Sequence, residues 1–455
     1  MEEGDREEKQ DPSVRIWSVR EEVTNSIREK LSKLPPSHST NCIYTVPERL
    51  RKVNPDAFTP RLVSIGPLHH GKRQLHDAGG NKLTYKPQLQ AMEEYKLRYL
   101  KSFFDRKPDI LPIIDSIVRN EATLRRYYQD KIDLNGKEFS ELILVDSIFM
   151  VELLSKNCLN DPVKNKDEIF YKKWMSGDLM HDMILIENQI PLSIPLAIFN
   201  QLPENKNKKF GDALYNYLLK LENIPDNSKE AFSSISVSKH PPHLVDCLRM
   251  AHVPPRNKGT SLSTFKKARP ATELLEAGVK FSRKNGGKLV EIDFKDGVLS
   301  IPPLKVNEWT ETFFRNIIAF EQCERMSPRY ISDYIVFMDH LIDTADDVQV
   351  LKDNSIIVVN ETGLNGNEEV ANLFNNLFKE TVVDESDFYF ADISNSLNEY
   401  SRDCLHRTKA KIFKWRVMLE HTYFNSPWSF ISLVAAVVLL ILTVVQTACS
   451  VIGLY

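Results

Sequence analysis

The longest uninterrupted apolar stretch of the chain lies near its C-terminus. Residues 430–445 read FISLVAAVVLLILTVV, and no charged residue occurs between Thr422 and Tyr455. About 20 consecutive apolar residues cross a bilayer core, and a helix that is apolar on every face is typical of a membrane span. The pattern predicts one transmembrane helix over 428–453. A buried core helix, or the tail of a lipid-anchor signal, is the alternative interpretation.

The residues before this stretch are basic. They are Arg402, Arg407, Lys409, Lys411, Lys414 and Arg416. We expect Lys414, Arg416 and the aromatic Trp428 at the membrane interface, because a cationic flank and an interfacial tryptophan are typical of span boundaries. The flank places the preceding residues in the cytosol, which predicts a tail-anchored protein whose partner is the lipid bilayer of the plasma membrane or the endoplasmic reticulum. The acidic start, MEEGDREEKQDP, does not have the pattern of a signal peptide.

Helical periodicity dominates the rest of the chain. Apolar spacing predicts helices over 14–34, 85–104, 113–131, 141–156, 179–190, 210–221, 310–325, 327–344 and 368–382, and another from about 386 onward. The 141–156 segment, ELILVDSIFMVELLSK, is apolar nearly all round and is predicted to be a central core helix. The proline-rich 42–71 segment is predicted to be extended, and 223–242 and 253–269 are predicted to be loops.

One region alternates in the manner of a strand. Val290, Ile292 and Phe294 alternate with polar residues, Asp296-Gly297 supplies a turn, and apolar residues resume over 298–301. This pattern predicts a β-hairpin. The fold class is therefore mainly α, with one large helical domain, a small β-hairpin element and one C-terminal transmembrane helix. The predicted parts are a polar extension over 1–40, the domain over 41–400, a basic stem over 401–422 and the span.

Composition and charge exclude several classes of protein. The net charge of −3 for 455 residues gives no basic field for nucleic acid. The 6 cysteines form no CxxC pair, which argues against a metal knuckle. No GxSxG elbow, phosphate-binding glycine loop, HExxH or dinucleotide fingerprint occurs. We therefore predict no catalytic residue, no metal ligand and no cofactor.

Histidines supply the strongest remaining candidate chemistry. His69 and His70 are adjacent within SIGPLHHG, and His240 and His243 flank two prolines. Neither pair has the i, i+4 helical spacing that directs two rings at one ion, so turn histidines bonded to backbone are the simpler interpretation.

Polar residues embedded in apolar helices carry a structural hypothesis. Glu187 and Asn188 follow MILI, and Arg315 and Glu321 interrupt FF, II and AF. Buried charges and amides are costly unless they are hydrogen-bonded. We expect Glu187, Asn188, Arg315 and Glu321 to form a network that fixes how the central helices meet. A polar ligand pocket is the alternative.

Several segments resemble a plant family known as domain of unknown function 247. They are CIYTVPERLRKVNPDAFTPRLVSIGPLHHG (42–71), DMILIENQIP (182–191), HLVDCLRM (243–250), ATELLEAGVKF (271–281), FFRNIIAFEQC (313–323) and YFNSPWSFISLVAAVVLLILTVVQ (423–446). The resemblance implies a plant protein with a C-terminal membrane helix and no assigned enzyme activity. Some family members are linked to pollen–stigma recognition.

These observations together favour a membrane-tethered, non-catalytic interaction or signalling protein with an unknown protein partner. The alternative is an unrecognised membrane-associated hydrolase. A deep cleft that holds His69 or His70 beside a carboxylate or a serine would favour the hydrolase. A filled interior with an exposed apolar patch would favour the interaction protein.

Overall fold

The computed structural model describes residues 12–32, 41–71, 74–76, 82–84, 87–107, 109–157, 167–236, 241–254, 266–324, 329–359, 366–402 and 427–452. Contacts divide the chain into two units, Met1–Asn41 and Cys42–Tyr455. In the first unit, the described residues form one helix, Pro12–Ser32, which agrees with the helix predicted over 14–34. All other elements belong to the second unit.

Helices are the main element of the described chain, as predicted. In chain order they are α1 (Pro12–Ser32), α2 (Glu48–Val53), α3 (Pro87–Arg106), α4 (Leu111–Arg125), α5 (Gly136–Asn157), α6 (Glu168–Tyr171), α7 (Lys173–Met183), α8 (Ser193–Gln201), α9 (Phe210–Leu218), α10 (Lys229–Ser233), α11 (Leu244–His252), α12 (Ala271–Glu276), α13 (Thr310–Cys323), α14 (Tyr330–Leu341), α15 (Ala345–Asp353), α16 (Asn367–Leu377), α17 (Ala391–Arg402) and α18 (Pro427–Ile452).

Short strands accompany the helices. They are β1 (Gln74–His76), β2 (Lys82–Thr84), β3 (Lys280–Arg283), β4 (Asp293–Lys295), β5 (Val298–Ile301), β6 (Leu304–Val306) and β7 (Ile357–Val359).

The centre of the N-terminal half is α5. It packs against α3, α4, α8 and α9, and residues on every face of it are buried between Phe139 and Ser155. A helix that is apolar all round must be surrounded by other elements, which is why this segment became the centre. The predicted core helix over 141–156 is confirmed, and it extends beyond that range at both ends.

The C-terminal half is organised around α13. This helix packs against α11, α14 and α16, and Phe313, Phe314 and Phe320 on it are buried. The helix predicted over 310–325 is therefore confirmed.

The hairpin is confirmed and belongs to a three-stranded sheet. β4 and β5 pair antiparallel across Asp296 and Gly297, whose φ angles of 50° and 74° are those of a two-residue hairpin turn. The other edge of β5 pairs in parallel with β3, and β6 pairs in parallel with β7. Neither parallel pair was predicted, because each joins segments separated by a long connection.

Four segments depart from the predicted elements. The helix predicted over 179–190 is wrong beyond Met183, where α7 ends, because the N–H of Ile186 donates to the Asn316 side chain and not to a helix carbonyl. The 42–71 segment contains α2, which begins directly after Pro47, a residue that a helix tolerates at its start but not in its interior. α4 ends at Arg125 instead of continuing to 131, because Tyr128 forms a β-bridge with Ile43. The predicted loop over 223–242 contains α10.

The C-terminal helix α18 covers the backbone of the predicted span. Its side chains are described over 435–448, where every residue is exposed, including Leu439 and Leu440. Within the described part of the chain, no helix is long and apolar enough to cross a membrane. The transmembrane helix predicted over 428–453 therefore gains no support from the structure.

The side chains of the predicted membrane-interface residues lie outside the described part of the chain. Lys414, Arg416 and the stem from residue 403 to 422 lie outside the described residues. Trp428 lies in the first turn of α18, outside the residues whose side chains are described.

Two glycines inside helices give a matched prediction. A Cβ on Gly211 in α9 would lie 1.8 Å from the carbonyl oxygen of Phe232, whereas a Cβ on Gly177 in α7 would have no atom within 4 Å. We expect Gly211→Ala to lower the free energy of unfolding by more than about 2 kcal/mol, because the backbone must move apart. Gly177→Ala should raise it by about 0.5–1 kcal/mol, because alanine favours the helix. Denaturant unfolding of both variants measures this, and shifts of the same sign would contradict it.

Candidate functional site

An irregular segment, residues 61–66, runs through the interior and is hydrogen-bonded by side chains. The carboxylate of Asp182, at the end of α7, accepts the backbone N–H groups of Arg61, Leu62 and Val63 at 2.7, 2.6 and 2.7 Å. Buried amides that belong to no helix or sheet need such partners. Asp182 is fully buried and therefore fixes the path of this segment.

Asn188 continues the same pattern. Its Oδ1 accepts the N–H of Ile65 at 2.7 Å, and its Nδ2 donates to the carbonyls of Val63 and Asp182. Asn188 is 1% exposed, so these bonds satisfy a side chain that would otherwise be costly to bury.

A buried ion pair completes the support of the segment. Lys96 Nζ lies 2.7 Å from Asp146 Oδ1, and both side chains are 0% exposed. Asp146 Oδ2 accepts the N–H of Gly66 at 2.7 Å, and Lys96 donates to the carbonyl of Ser64. Although burial opposes a charge on Lys96, the carboxylates of Asp146 and Glu93 raise its pKa.

Glu187 anchors the start of α2. Its Oε1 accepts the N–H of Val46 at 2.7 Å and the guanidinium of Arg51, and its Oε2 lies 3.1 Å from His69 Nε2. Burial alone would raise the pKa of Glu187, but His69, the charge of Arg51 and the Val46 amide lower it to about 2. Glu187 is therefore ionised at neutral pH and holds α2 against the core.

Glu321 and Arg315 both lie on α13, where each contacts the end of another helix. Glu321 accepts the N–H groups of Ile331 and Ser332, the second and third residues of α14, at 3.2 and 2.8 Å. A carboxylate at the N-terminus of a helix accepts backbone amides that have no partner within the helix, and its charge interacts favourably with the helix dipole. Burial raises the pKa of Glu321.

Arg315 contacts the C-terminal end of α16. Its Nε donates to Glu311 Oε1 at 2.8 Å, and its Nη2 donates to the carbonyl of Asn376 at 3.3 Å, near the end of α16. Among the described residues, the hydrogen bonds of Arg315 and Glu321 do not reach Glu187 or Asn188. The four residues predicted as one network are thus buried and hydrogen-bonded in separate groups.

Asn316, which the sequence prediction omitted, links α13 to the backbone beside Glu187. Its Oδ1 accepts the N–H of Ile186, beside Glu187, at 2.9 Å, and its Nδ2 donates to the carbonyl of Ala57 at 2.8 Å. Lys96 was also omitted, although the apolar stripe of its helix passes through its position, a signal that it points inward. Asp182 had a comparable signal, since it directly precedes the apolar residues 183–186 of DMILIENQIP.

Arg315 also lines an open cleft of about 730 Å³ between α2, α13 and the end of α16. Arg315 is 5% exposed, and among the described contacts its Nη1 has no hydrogen-bond partner. Arg49, Lys52 and Lys379 are the other cations of the lining, and the carboxylates are Glu48, Glu311 and Glu380. Glu311 is bonded to Arg315 and Asn54, which leaves the cleft suited to a ligand that carries an anionic group.

The candidate histidines from the sequence do not line the Arg315 cleft. His69 is buried against Glu187 and away from the lining of this cleft, while His70 is exposed. His243 caps α11 through its Nδ1, and its Nε2 lies 2.9 Å from the carbonyl of Cys42. Burial lowers the pKa of His243 to about 4, so the ring is neutral at pH 7.

Among the described residues, no group of three or more His, Cys, Asp or Glu side chains lies close enough together to hold a metal ion. His240 lies outside the described residues, and the predicted absence of metal and cofactor stays a prediction.

Comparison with known proteins gives a consistent result. The model of a family described as plant protein of unknown function, DUF247, matches residues 43–442. The chain is 27% identical over 445 residues to UPF0481 protein At3g47200 of Arabidopsis thaliana, which covers 90% of this chain and 86% of that protein. It is 21% identical over 520 residues to Putative UPF0481 protein At3g02645 of the same plant, over 93% of each. No solved structure matches significantly.

The depressed pKa of Glu187 predicts acid-dependent stability. The carboxylate is ionised in the folded state down to about pH 2 but protonates near 4.5 when unfolded, so its contribution is present above pH 4.5 and is lost as the pH falls toward 2. Glu187→Gln should lower the free energy of unfolding by about 3 kcal/mol at pH 7 and by much less at pH 3. Denaturant unfolding at both pH values measures this.

Glu48→Gln is the matched control, because Glu48 is an exposed carboxylate on α2, the helix that Glu187 holds through Arg51. It should change stability by less than about 0.5 kcal/mol. An effect of Glu187→Gln that stayed constant from pH 7 to pH 3 would show that its charge is not the cause.

Asp333 on α14 predicts the opposite dependence. It is 5% exposed and accepts the N–H of Tyr389 at 2.9 Å. Burial, with a further contribution from the charge of Glu321, raises its pKa from 3.8 to about 8. Between these values the folded state keeps a proton that the unfolded state has released, so stability falls as the pH rises. Asp333→Asn should remove roughly 2–4 kcal/mol of the fall between pH 5 and pH 8, measured by denaturant unfolding. An unchanged slope would refute this assignment.

Proposed function

Because the chain belongs to the DUF247 family of plant proteins of unknown function, we propose for it a role as a non-catalytic binding protein, held on a membrane by α18. The observation that carries this proposal is the charge-free stretch from Thr422 to Tyr455, which contains α18.

Exposure along α18 supports attachment to a bilayer. Val437, Leu439, Leu440 and Ile441 are each between 51% and 67% exposed, on different faces of the helix. Apolar surface in water is unfavourable by about 25 cal/mol per Å², so a helix of this composition favours an apolar surrounding. The basic residues between Arg402 and Arg416 would lie on the cytosolic side and contact anionic headgroups.

The interior supports binding over catalysis. Among the described residues, histidine meets a carboxylate in the pairs His69–Glu187 and His181–Asp182, and both pairs are buried away from the surface where a substrate could reach them. Burial raises the pKa of the Cys42 and Cys247 thiols, which disfavours the nucleophilic thiolate. The described residues that line the Arg315 cleft include no histidine, cysteine or serine.

We place the partner contact at the Arg315 cleft. A guanidinium with a nitrogen available for bonding, surrounded by Arg49, Lys52 and Lys379, suits an acidic segment of a protein partner. The cleft is held open by α2, which Glu187 fastens to the core through Val46 and Arg51.

Carbonate washing of membranes tests the attachment. The full-length chain should stay with the membrane, and a chain truncated before Tyr423 should be released. Val437→Lys combined with Leu440→Lys should also release it, because each lysine at the centre of a span costs about 2.5–3.5 kcal/mol. Val437→Ile with Leu440→Ile is the matched control and should stay bound. Release of the full-length chain as a soluble protein would overturn the proposal.

Proximity labelling from the same proteins tests the binding role. Partners labelled by the full-length chain should be lost when Lys52 and Lys379 are both changed to glutamate, while membrane attachment persists. An unchanged set of labelled partners would remove the cleft from the proposal.

A further inference from the structure

A second cleft, separate from the Arg315 cleft, lies on the outer side of α7. It has a volume of about 570 Å³, within the range of ligand pockets. Its lining combines three aromatic side chains, Phe170, Trp174 and Trp309, with three cations, Arg61, Lys173 and Lys220. Asp178 and Glu308 supply the carboxylates of the lining.

Trp174 is the most unusual member of this lining. Its side chain is 54% exposed, although it belongs to a helix whose other face is buried in the core. A large exposed aromatic side chain loses the benefit of burial, and such residues are enriched at binding sites. Gly177 and Asp178 follow it by three and four positions, so all three share one face of α7.

Gly177 leaves the floor of the cleft open. It lies in the interior of α7, where glycine weakens a helix, and a Cβ there would have no atom within 4 Å. Packing therefore does not require glycine at this position. Because Gly177 has no side chain, the helix backbone beside Trp174 is exposed. A flat group can therefore approach that surface closely.

Contacts within the protein position the walls of the cleft. Asp182, on the inner face of α7, holds the backbone of Arg61 at 2.7 Å, and the Arg61 guanidinium lies 3.7 Å from Asp178 on the outer face. On the other side, Lys220 lies over the Phe170 ring at 5.6 Å. Both walls are thus positioned before a ligand arrives, which lowers the entropic cost of binding.

We propose that this cleft binds a small molecule that joins a flat aromatic ring to an anionic group, phosphate or carboxylate. The ring would stack on Trp174 above Gly177, since aromatic faces favour offset stacking. The anion would lie among Lys173, Lys220 and Arg61, which outnumber the two carboxylates. The site does not depend on membrane attachment, so failure of one proposal leaves the other standing.

Calorimetric titration of the full-length chain with two matched series of probes tests this. One series is adenosine monophosphate, adenosine and ribose 5-phosphate; the other is phenyl phosphate, phenol and inorganic phosphate. In at least one series the compound with both ring and anion should bind at least tenfold more tightly than either part alone. Binding that follows the anion alone, or no binding in either series, would overturn the proposal.

Three variants localise the site. Trp174→Ala and Gly177→Leu should each weaken binding at least tenfold, the first by removing the stacking surface and the second by filling the space above the helix. Tyr171→Ala is the matched control, because Tyr171 is 74% exposed beside α7 but does not line the cleft. It should change affinity by less than twofold.

Folding can be separated from binding in these variants. Gly177→Leu should melt at or above the temperature of the unaltered chain, since leucine favours a helix more than glycine does. Equal affinity in Gly177→Leu and the unaltered chain would place the ligand elsewhere. Capture of a protein partner through Trp174, with no small molecule bound, would assign the surface to protein contact and also overturn the proposal.

Discussion

Backbone that crosses an apolar interior without helix or sheet bonds must find other hydrogen-bond partners, and residues 61–66 impose this requirement on the fold. Asp182, Asn188 and Asp146 accept its amides, while Lys96 bonds its Ser64 carbonyl. Removing any one partner would leave a buried polar group unsatisfied, at a cost of about 1–3 kcal/mol. The helices α3, α5 and α7 are thereby fixed around one irregular segment.

Buried carboxylates position both clefts. Asp182 orients α7 and Arg61, which form two walls of the second cleft, lined by Trp174, and Glu187 fastens α2, which forms one wall of the Arg315 cleft. Arg315 and Glu321 then tie α13 to the ends of α16 and α14. The charged residues of the core thus act mainly on backbone groups.

Prediction from sequence succeeded where a signal is local. The α5 segment is apolar on every face, so its central position followed from composition, and Asp296-Gly297 specified the turn between β4 and β5. It failed where pairing is distant. The parallel contacts of β3 with β5 and of β6 with β7 depend on how the intervening chain folds, and strands of three or four residues carry too little pattern to show it.

The candidate sites divide in the same way. Sequence alone determined that Glu187, Asn188, Arg315 and Glu321 would need partners, because charges and amides within apolar segments are costly to bury. It could not assign those partners, since hydrogen-bond geometry arises between distant segments, as for Glu187 and Val46, which are 141 residues apart. Only the tertiary structure brought Arg61, Trp174 and Trp309 to one cleft, because no periodicity along the chain relates them.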